Sequence, residues 1–228
     1  MPANLTPEQL AQLAHIDTPT ISNAIEGFGV RPPPEGHMGE DVRCLTPELS
    51  PLVGFAVTAT VCNDNAQRDP KARGIAALYE ALAAAPKPAV VVFQDVSKDR
   101  NRSCHLGDGM SATFQRLGAV GAVTDGNARD LVGIRALGFR LFAHGLVASR
   151  SLLEVLQVNL PVTVSGARIV PGTLIHGDYN GVITIPDEIA GQVATAALQV
   201  RDKESLQHDF VLDPEFTLAG LMKRMAER

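Results

Sequence analysis

Two carboxylates and one guanidinium stand where strand-like runs hand over to helices within residues 107–145. Gly107-Asp108-Gly109 opens a predicted helix ending near Leu117-Gly118. At such a helix start the amides of Gly109 and Met110 lack helical acceptors and make an anion site. Asp108 is placed to act as a general base or to hold a water. The plainer reading is a helix cap, since Asp is a preferred capping residue and Gly-Asp-Gly is common in turns. Arg129-Asp130 begins a second predicted helix. Adjacent helical residues point about 100° apart, so both reach one pocket only near a helix end. An Arg there clamps a carboxylate through paired hydrogen bonds, and an Asp ligates a hard divalent cation directly or through water. The plainer reading is an exposed ion pair on a solvated face.

Other chemistry is thinly represented. His105, His144 and His176 are scattered without HxxxH or HxH spacing, so they predict rim or satisfied core residues, with His144 ending a strand near the site. Asp64 and Asp95, at strand ends, are further candidates to line a pocket. There is no GxSxG, P-loop or dinucleotide GxGxxG, which leaves nucleophilic and nucleotide chemistry without support.

The elements that must position these groups read as a mixed α/β domain. Thr6-Pro7-Glu8-Gln9 is a capped helix start. Asp17 begins a second helical segment that stops at Gly27-Phe28-Gly29. Residues 31–53 hold many prolines and little periodicity, predicting a long ordered loop. A β-branched, alternating run over 54–61 predicts a strand closed by Asn63-Asp64-Asn65. An alanine-rich helix over 70–85 and a fully apolar strand over 89–93 follow. The polar, locally basic loop 97–105 leads into the central stretch, where Ala119–Thr124 and 139–143 read as strands and Asp125-Gly126 as a turn. Beyond it lies a hairpin-rich section with turns at Pro171-Gly172 and Asp178-Tyr179-Asn180-Gly181. Helices over 186–203 and 217–228 close the chain, the last with Leu218, Leu221 and Met222 on its apolar side.

The composition bounds the partners. The chain has 228 residues, enough for one domain with a sizeable core. A net charge of -5 and the absence of Trp argue against nucleic acid as the main partner. No stretch reaches transmembrane length, and the N-terminus lacks signal-peptide features, so no membrane partner and a cytoplasmic location are expected. Cys44, Cys62 and Cys104 are odd in number and form no CxxC, predicting reduced thiols.

The order of motifs resembles the 4-hydroxy-4-methyl-2-oxoglutarate aldolase family, which overlaps with the RraA-like proteins named for a regulator of ribonuclease E. It is carried by Gly107-Asp108, Gly118, Gly121, Asp125-Gly126, Arg129-Asp130, Gly138-Phe139, Pro171-Gly172 and Asp178-Tyr179-Asn180-Gly181-Val182 with Pro186. Upstream, Gly54-Phe55-Ala56-Val57-Thr58 and Asp64-Asn65 also fit. Its most specific part is a strand followed by DGxxRD and preceded by Gly-Asp.

The resemblance implies a single domain over residues 1–228, a compact α/β/β/α sandwich of the phosphohistidine swivelling-domain type with helical ends, assembled as a homotrimer or homohexamer. It also implies a class II, divalent-metal-dependent aldolase that releases pyruvate from a 4-hydroxy-2-oxo acid through a metal-stabilised enolate, with oxaloacetate decarboxylase side activity. Carried over by motif, Asp130 anchors Mg²⁺ or Mn²⁺ and Arg129 binds the pyruvyl oxygens and stabilises the enolate. The turn at Gly107 and the amides of Gly109 and Met110 hold the substrate carboxylate, and Asp108 handles the proton. An acidic residue from a neighbouring subunit completes the family's site, and no motif matches it here. Thr173 and Asn23 stand where the family usually has Asp, His144 where it often has Arg, and the loop 97–105 lacks a glycine-rich run. These departures concern the distal substrate pocket, where Arg100 and Arg102 are available as a second carboxylate contact or as ordinary solvated charges.

Two other functions compete. Regulators of the RraA type resemble the aldolases but tend to lose the metal-anchoring Asp while keeping the Arg, and this chain has both. A methyltransferase, a label carried by some relatives, lacks the glycine-rich nucleotide-binding turn here.

Overall fold

A computed structural model describes residues 4–63, 74–150 and 152–226 of the chain. Its elements run in chain order as helices α1 (Pro7–Leu13) and α2 (Thr18–Gly27), strands β1 (Arg43–Cys44) and β2 (Leu52–Cys62), helix α3 (Gly74–Ala84) and strand β3 (Ala89–Asp95). A 3-10 turn at Arg100–Arg102 precedes α4 (Asp108–Arg116), β4 (Ala119–Thr124), β5 (Asn127–Ala128), α5 (Leu131–Ala136), β6 (Arg140–Ala143) and β7 (Gly145–Leu146). Then come β8 (Glu154–Val158), β9 (Val162–Val164), β10 (Ala167–Ile169), β11 (Leu174–Asp178), β12 (Gly181–Ile185), α6 (Ala190–Leu212) and α7 (Leu218–Ala226).

The helix starts follow local chemistry. Thr6 Oγ1 accepts from the Gln9 amide at 3.3 Å while Gln9 Oε1 accepts from the Thr6 amide at 2.8 Å, a reciprocal capping box. Asp17 caps α2 by accepting from the Thr20 amide at 2.9 Å.

Among the described residues, eight strands form one sheet in the order β1-β6-β4-β3-β2-β11-β12, with β8 also on β2. β2, β3, β4 and β6 run parallel, and β11, β12, β8 and β1 pair antiparallel. Strand β2 is long enough to divide one edge: Leu52 to Phe55 meets β11, and Ala59 to Cys62 meets β8.

The three apolar clusters define the layers. Val57, Ala59 and Val61 of β2 pack with Leu78, Phe114 and Ile134 from α3, α4 and α5. Val53 and Phe55 of the same strand pack with residues of α1, α2 and α6. The opposite face of β2, through Leu52 and Ala56, meets Val90, Val92, Ile175, Val182 and the small β9-β10 hairpin. Helices thus cover two outer faces and strands fill the middle, the expected α/β/β/α sandwich.

Element boundaries shift in places. The apolar run at 89–93 extends to Asp95 as a strand. The loop over 31–53 contains β1 and the start of β2. The helix expected over 186–203 instead spans Ala190–Leu212. Its buried residues stop at Ala197, so its second half projects beyond the core and shows no apolar stripe to read in the sequence. The expected turn at Asp64 and the start of the helix at 70 lie outside the described residues. Cys44, Cys62 and Cys104 form no disulfide among the described residues. Among the described residues no helix is long and apolar enough to cross a membrane.

Candidate active site

The parallel strands β3 and β4 end side by side, and the segments leaving them build a crevice where open α/β sheets bind ligands. Residues 105–106 run alongside β5: the His105 amide donates to Asn127 O at 3.0 Å and the Arg129 amide to Leu106 O at 2.9 Å. This pairing brings Gly107-Asp108 beside Arg129-Asp130, although they belong to different strand-to-helix crossings.

The fit between the two motifs is close. A Cβ on Gly107 would lie 2.7 Å from Asp130 Oδ2 and 3.4 Å from Arg129 Nε. Gly107 is therefore a matter of space, because its backbone is extended and open to any residue. A Cβ on Gly133 of α5 would lie 2.7 Å from Asp108 Oδ2 and 2.8 Å from Asp108 Cβ. Gly133 is not among the residues singled out by the sequence. The available signal was a glycine inside a helix, which costs about 1 kcal/mol relative to Ala and asks for a packing reason.

Asp108 is the first residue of α4, and Gly107 is its N-cap without a side-chain hydrogen bond, so the capping reading of Asp108 is corrected. The Asp108 carboxylate accepts from the Gly109 amide at 2.7 Å, which occupies one of the two amides expected to bind anion. The Met110 amide, in the first turn, has no helical acceptor. Arg129 Nε lies 3.3 Å from Asp130 Oδ2, with both side chains a little over one-third exposed at 36% and 38%. Asp130 caps α5 from the left-handed region, at φ 55° and ψ 37°. That conformation costs an L-residue about 1–2 kcal/mol, least for Asn and Asp, and such outliers gather at functional sites. It also lets Arg129 and Asp130 share one crevice, because Asp130 stands outside the regular helix.

These groups line a cavity of about 250 Å³ together with Cys104, His105, Leu106, Arg150, Leu152 and Leu153. Of the other candidates, Asp95 is buried beneath the site and does not line it. Burial pushes the Asp95 carboxyl up, yet His105 Nε2 at 2.8 Å and the Ser103 and Ser97 side chains outweigh it and hold the group well below the usual carboxylate range. Burial raises Asp125 above the usual range, opposed by the Asp95 amide at 2.7 Å and Arg100 at 2.9 Å. Arg100 is thus committed to Asp125, and neither it nor Arg102 lines the cavity. His144 is exposed, with Nδ1 3.2 Å from Asp41 O, and is also outside the cavity lining. His176 is a satisfied core residue, 3.0 Å from both Thr18 Oγ1 and Leu13 O. Asp64 lies outside the described residues. Arg150, Leu152 and Leu153 join the cavity from a distant connection that no motif marks.

Among the described residues no group of three His, Cys, Asp or Glu gathers as a metal cluster. Two hard carboxylate donors, Asp108 and Asp130, line the cavity, and Asp130 Oδ2 lies against Gly107 and Arg129.

Comparison with known proteins agrees with this architecture. A protein of Halalkalibacterium halodurans, provisionally named 4-hydroxy-4-methyl-2-oxoglutarate aldolase, is 27% identical over 194 residues, 80% of this chain and 90% of that one. A crystal structure from Pseudomonas syringae pv. tomato, of an uncharacterized protein, superposes with a TM-score of 0.74 at 24% identity, covering 97% of this chain and 95% of that one. The Streptomyces coelicolor protein described as an unusual member of the RNase ES inhibitor RraA family gives a TM-score of 0.69 at 24% identity, covering 89% and 98%. These structural likenesses establish the fold. The RraA-like family profile, described as Aldolase/RraA, matches residues 18–184, and the chain belongs to that family.

Proposed function

We propose that this chain is a divalent-metal-dependent lyase that cleaves a 4-hydroxy-2-oxo acid, such as 4-hydroxy-4-methyl-2-oxoglutarate, to pyruvate, and decarboxylates oxaloacetate at the same site. The observation that carries it is the convergence of Asp108, the Met110 amide, Arg129 and Asp130 on one small cavity. The name of the Halalkalibacterium relative supports the same class of reaction.

Asp130 fits a hard ion such as Mg²⁺ or Mn²⁺. Mg²⁺ keeps several waters and binds through one or two carboxylates, and a single exposed Asp in an open crevice suits that demand. A bound divalent ion supplies Lewis-acid polarisation of the 2-oxo group. The residues of the chain do the rest. The helix start at Met110 holds the C1 carboxylate. Asp108, directly or through a water, accepts the proton of the C4 hydroxyl. As the C3–C4 bond breaks, C4 and its oxygen leave as the carbonyl of the second product, and the bond's electron pair moves toward C2 and the keto oxygen, forming the pyruvate enolate. The Arg129 guanidinium puts positive charge where that negative charge develops. A proton then returns to C3 and pyruvate leaves. In oxaloacetate the bond that breaks releases carbon dioxide, and the same enolate follows.

The Streptomyces structural neighbour points to ribonuclease regulation through fold alone, at 24% identity. We further propose a ring-shaped homotrimer or homohexamer in the cytoplasm, supported by exposed Leu212, Leu218, Met222 and Met225 on the C-terminal helices.

The test is pyruvate release from oxaloacetate and from 4-hydroxy-4-methyl-2-oxoglutarate, coupled to lactate dehydrogenase, with Mg²⁺ and then with EDTA. Metal-dependent turnover is expected, lowered at least about 100-fold in Asp130→Ala and Arg129→Ala, the scale of removing one charge-stabilising group. Turnover that survives chelation, or folded protein silent on both substrates, would overturn the proposal.

A further inference from the structure

A second arginine lines the cavity, and the cleavage chemistry does not use it. Arg150 lies in the connection between β7 and β8, on the same cavity as Arg129, Asp130 and the start of α4. Both ends of that connection are fixed. β7 pairs with β5 next to Arg129, and the Val147 amide donates to Ala128 O at 3.0 Å. β8 is held on the edge of β2.

The other candidate cations are engaged. Arg100 pairs with Asp125, Arg129 with Asp130, Arg135 with Glu48 and Arg201 with Asp17. Among the described residues Arg150 has no carboxylate partner. Two arginines and two aspartates line the cavity, which is electrically balanced. Counted over this chain's own groups, a divalent ion at Asp130 would leave the cavity two positive charges in excess, the complement of a dianion. A 2-oxo acid with one carboxylate answers only half of that excess. The volume of about 250 Å³ is below the roughly 300–1,000 Å³ of drug-sized sites, so the ligand is a small metabolite.

We infer that Arg150 is a specificity-determining residue: it receives the distal carboxylate of a dicarboxylic 4-hydroxy-2-oxo acid, while Leu152 and Leu153 wall the space around the carbon chain. This rests on the lyase reading above for the substrate's reacting end, which Arg150 does not touch. A planar guanidinium grips a carboxylate through two parallel hydrogen bonds, a geometry that Lys copies only in charge.

The experiment measures binding and turnover separately. Calorimetry on the Mg²⁺-loaded protein would compare 2-oxoglutarate with 2-oxopentanoate, which matches it but lacks the distal carboxylate. Arg150→Met is expected to weaken the diacid at least about tenfold more than the monoacid, and Arg150→Lys to recover part of the difference. In turnover, Arg150→Met should raise KM for 4-hydroxy-4-methyl-2-oxoglutarate far more than for 4-hydroxy-2-oxopentanoate, with kcat for the diacid changing less than KM. Equal weakening of both acids, no weakening, or a wild-type protein that binds neither acid would overturn the inference. Selective loss of diacid binding in a protein that turns over nothing would uphold Arg150 and sink the lyase reading. Turnover with no selectivity lost in Arg150→Met would do the reverse.

Discussion

Gly133→Ala separates the site from the stability of the fold. The added Cβ would lie 2.7 Å from Asp108 Oδ2 and 2.8 Å from Asp108 Cβ. Rotating the Asp108 side chain relieves the first contact but leaves the second, since Cβ moves only with the backbone. Carbon atoms rest about 3.5–4.0 Å apart, so the starts of α4 and α5 must separate by roughly 0.7–1.2 Å. A misplacement of about 1 Å in a catalytic constellation costs about 100-fold, or about 2.7 kcal/mol of transition-state stabilisation. The stability effects oppose one another. Ala gains about 1 kcal/mol over Gly in a helix, whereas overpacking costs about 1–3 kcal/mol. The variant should stay folded, with its unfolding free energy within about 2 kcal/mol of the parent. The assay is kcat/KM for pyruvate release in four proteins: the parent, Gly133→Ala, Asp108→Asn and the double variant. If the damage runs through the Asp108 carboxylate, Gly133→Ala costs about 100-fold alone and little more in the Asp108→Asn background. Equal losses in both backgrounds, or no loss in either, would refute the role given to Asp108.

Two predictions concern the groups that hold the fold in place. Asp95→Ala leaves His105 buried without its carboxylate partner and removes the acceptor of the Ser97 amide, while the Ser103 hydroxyl keeps only the Arg100 carbonyl. Urea unfolding should show a loss of about 3–5 kcal/mol, and a loss under about 1 kcal/mol would contradict the role assigned to that pair. Burial lowers the pKa of His176 below its ordinary 6.5, despite the Leu13 carbonyl and the Asp178 charge. The unfolded chain therefore takes up the proton first, so stability is full above about pH 6.5 and falls as the pH drops below it. The decline in Tm between pH 7.5 and 5 should be shallower in His176→Gln; parallel curves would show that His176 does not drive it.

Much of the site was legible because its parts are local. The capping box at Thr6, the strand Ala119–Thr124, and the Asp125-Gly126 turn ahead of Arg129-Asp130 depend on neighbours a few residues away. Gly107-Asp108 and Arg129-Asp130 were recognisable as motifs for the same reason. Their roles were less legible. Asp108 could be read as a helix cap until its position inside α4 passed the cap to Gly107. Arg100 could be read as a substrate contact until Asp125 claimed it at 2.9 Å.

The sequence by itself determined the alternation of strands and helices, the turns between them, and the types of charged group placed at the strand ends, because propensity, capping and turn chemistry act over a few residues. The tertiary structure alone decided which charges meet. Pairing of residues 105–106 with β5 set the two motifs face to face, and the missing Cβ atoms of Gly107 and Gly133 let them close. The anchoring of β7 and β8 brought Arg150 to the same cavity. Such contacts join segments far apart in the chain, where sheet register and packing fix the distances and no local pattern in the sequence records them.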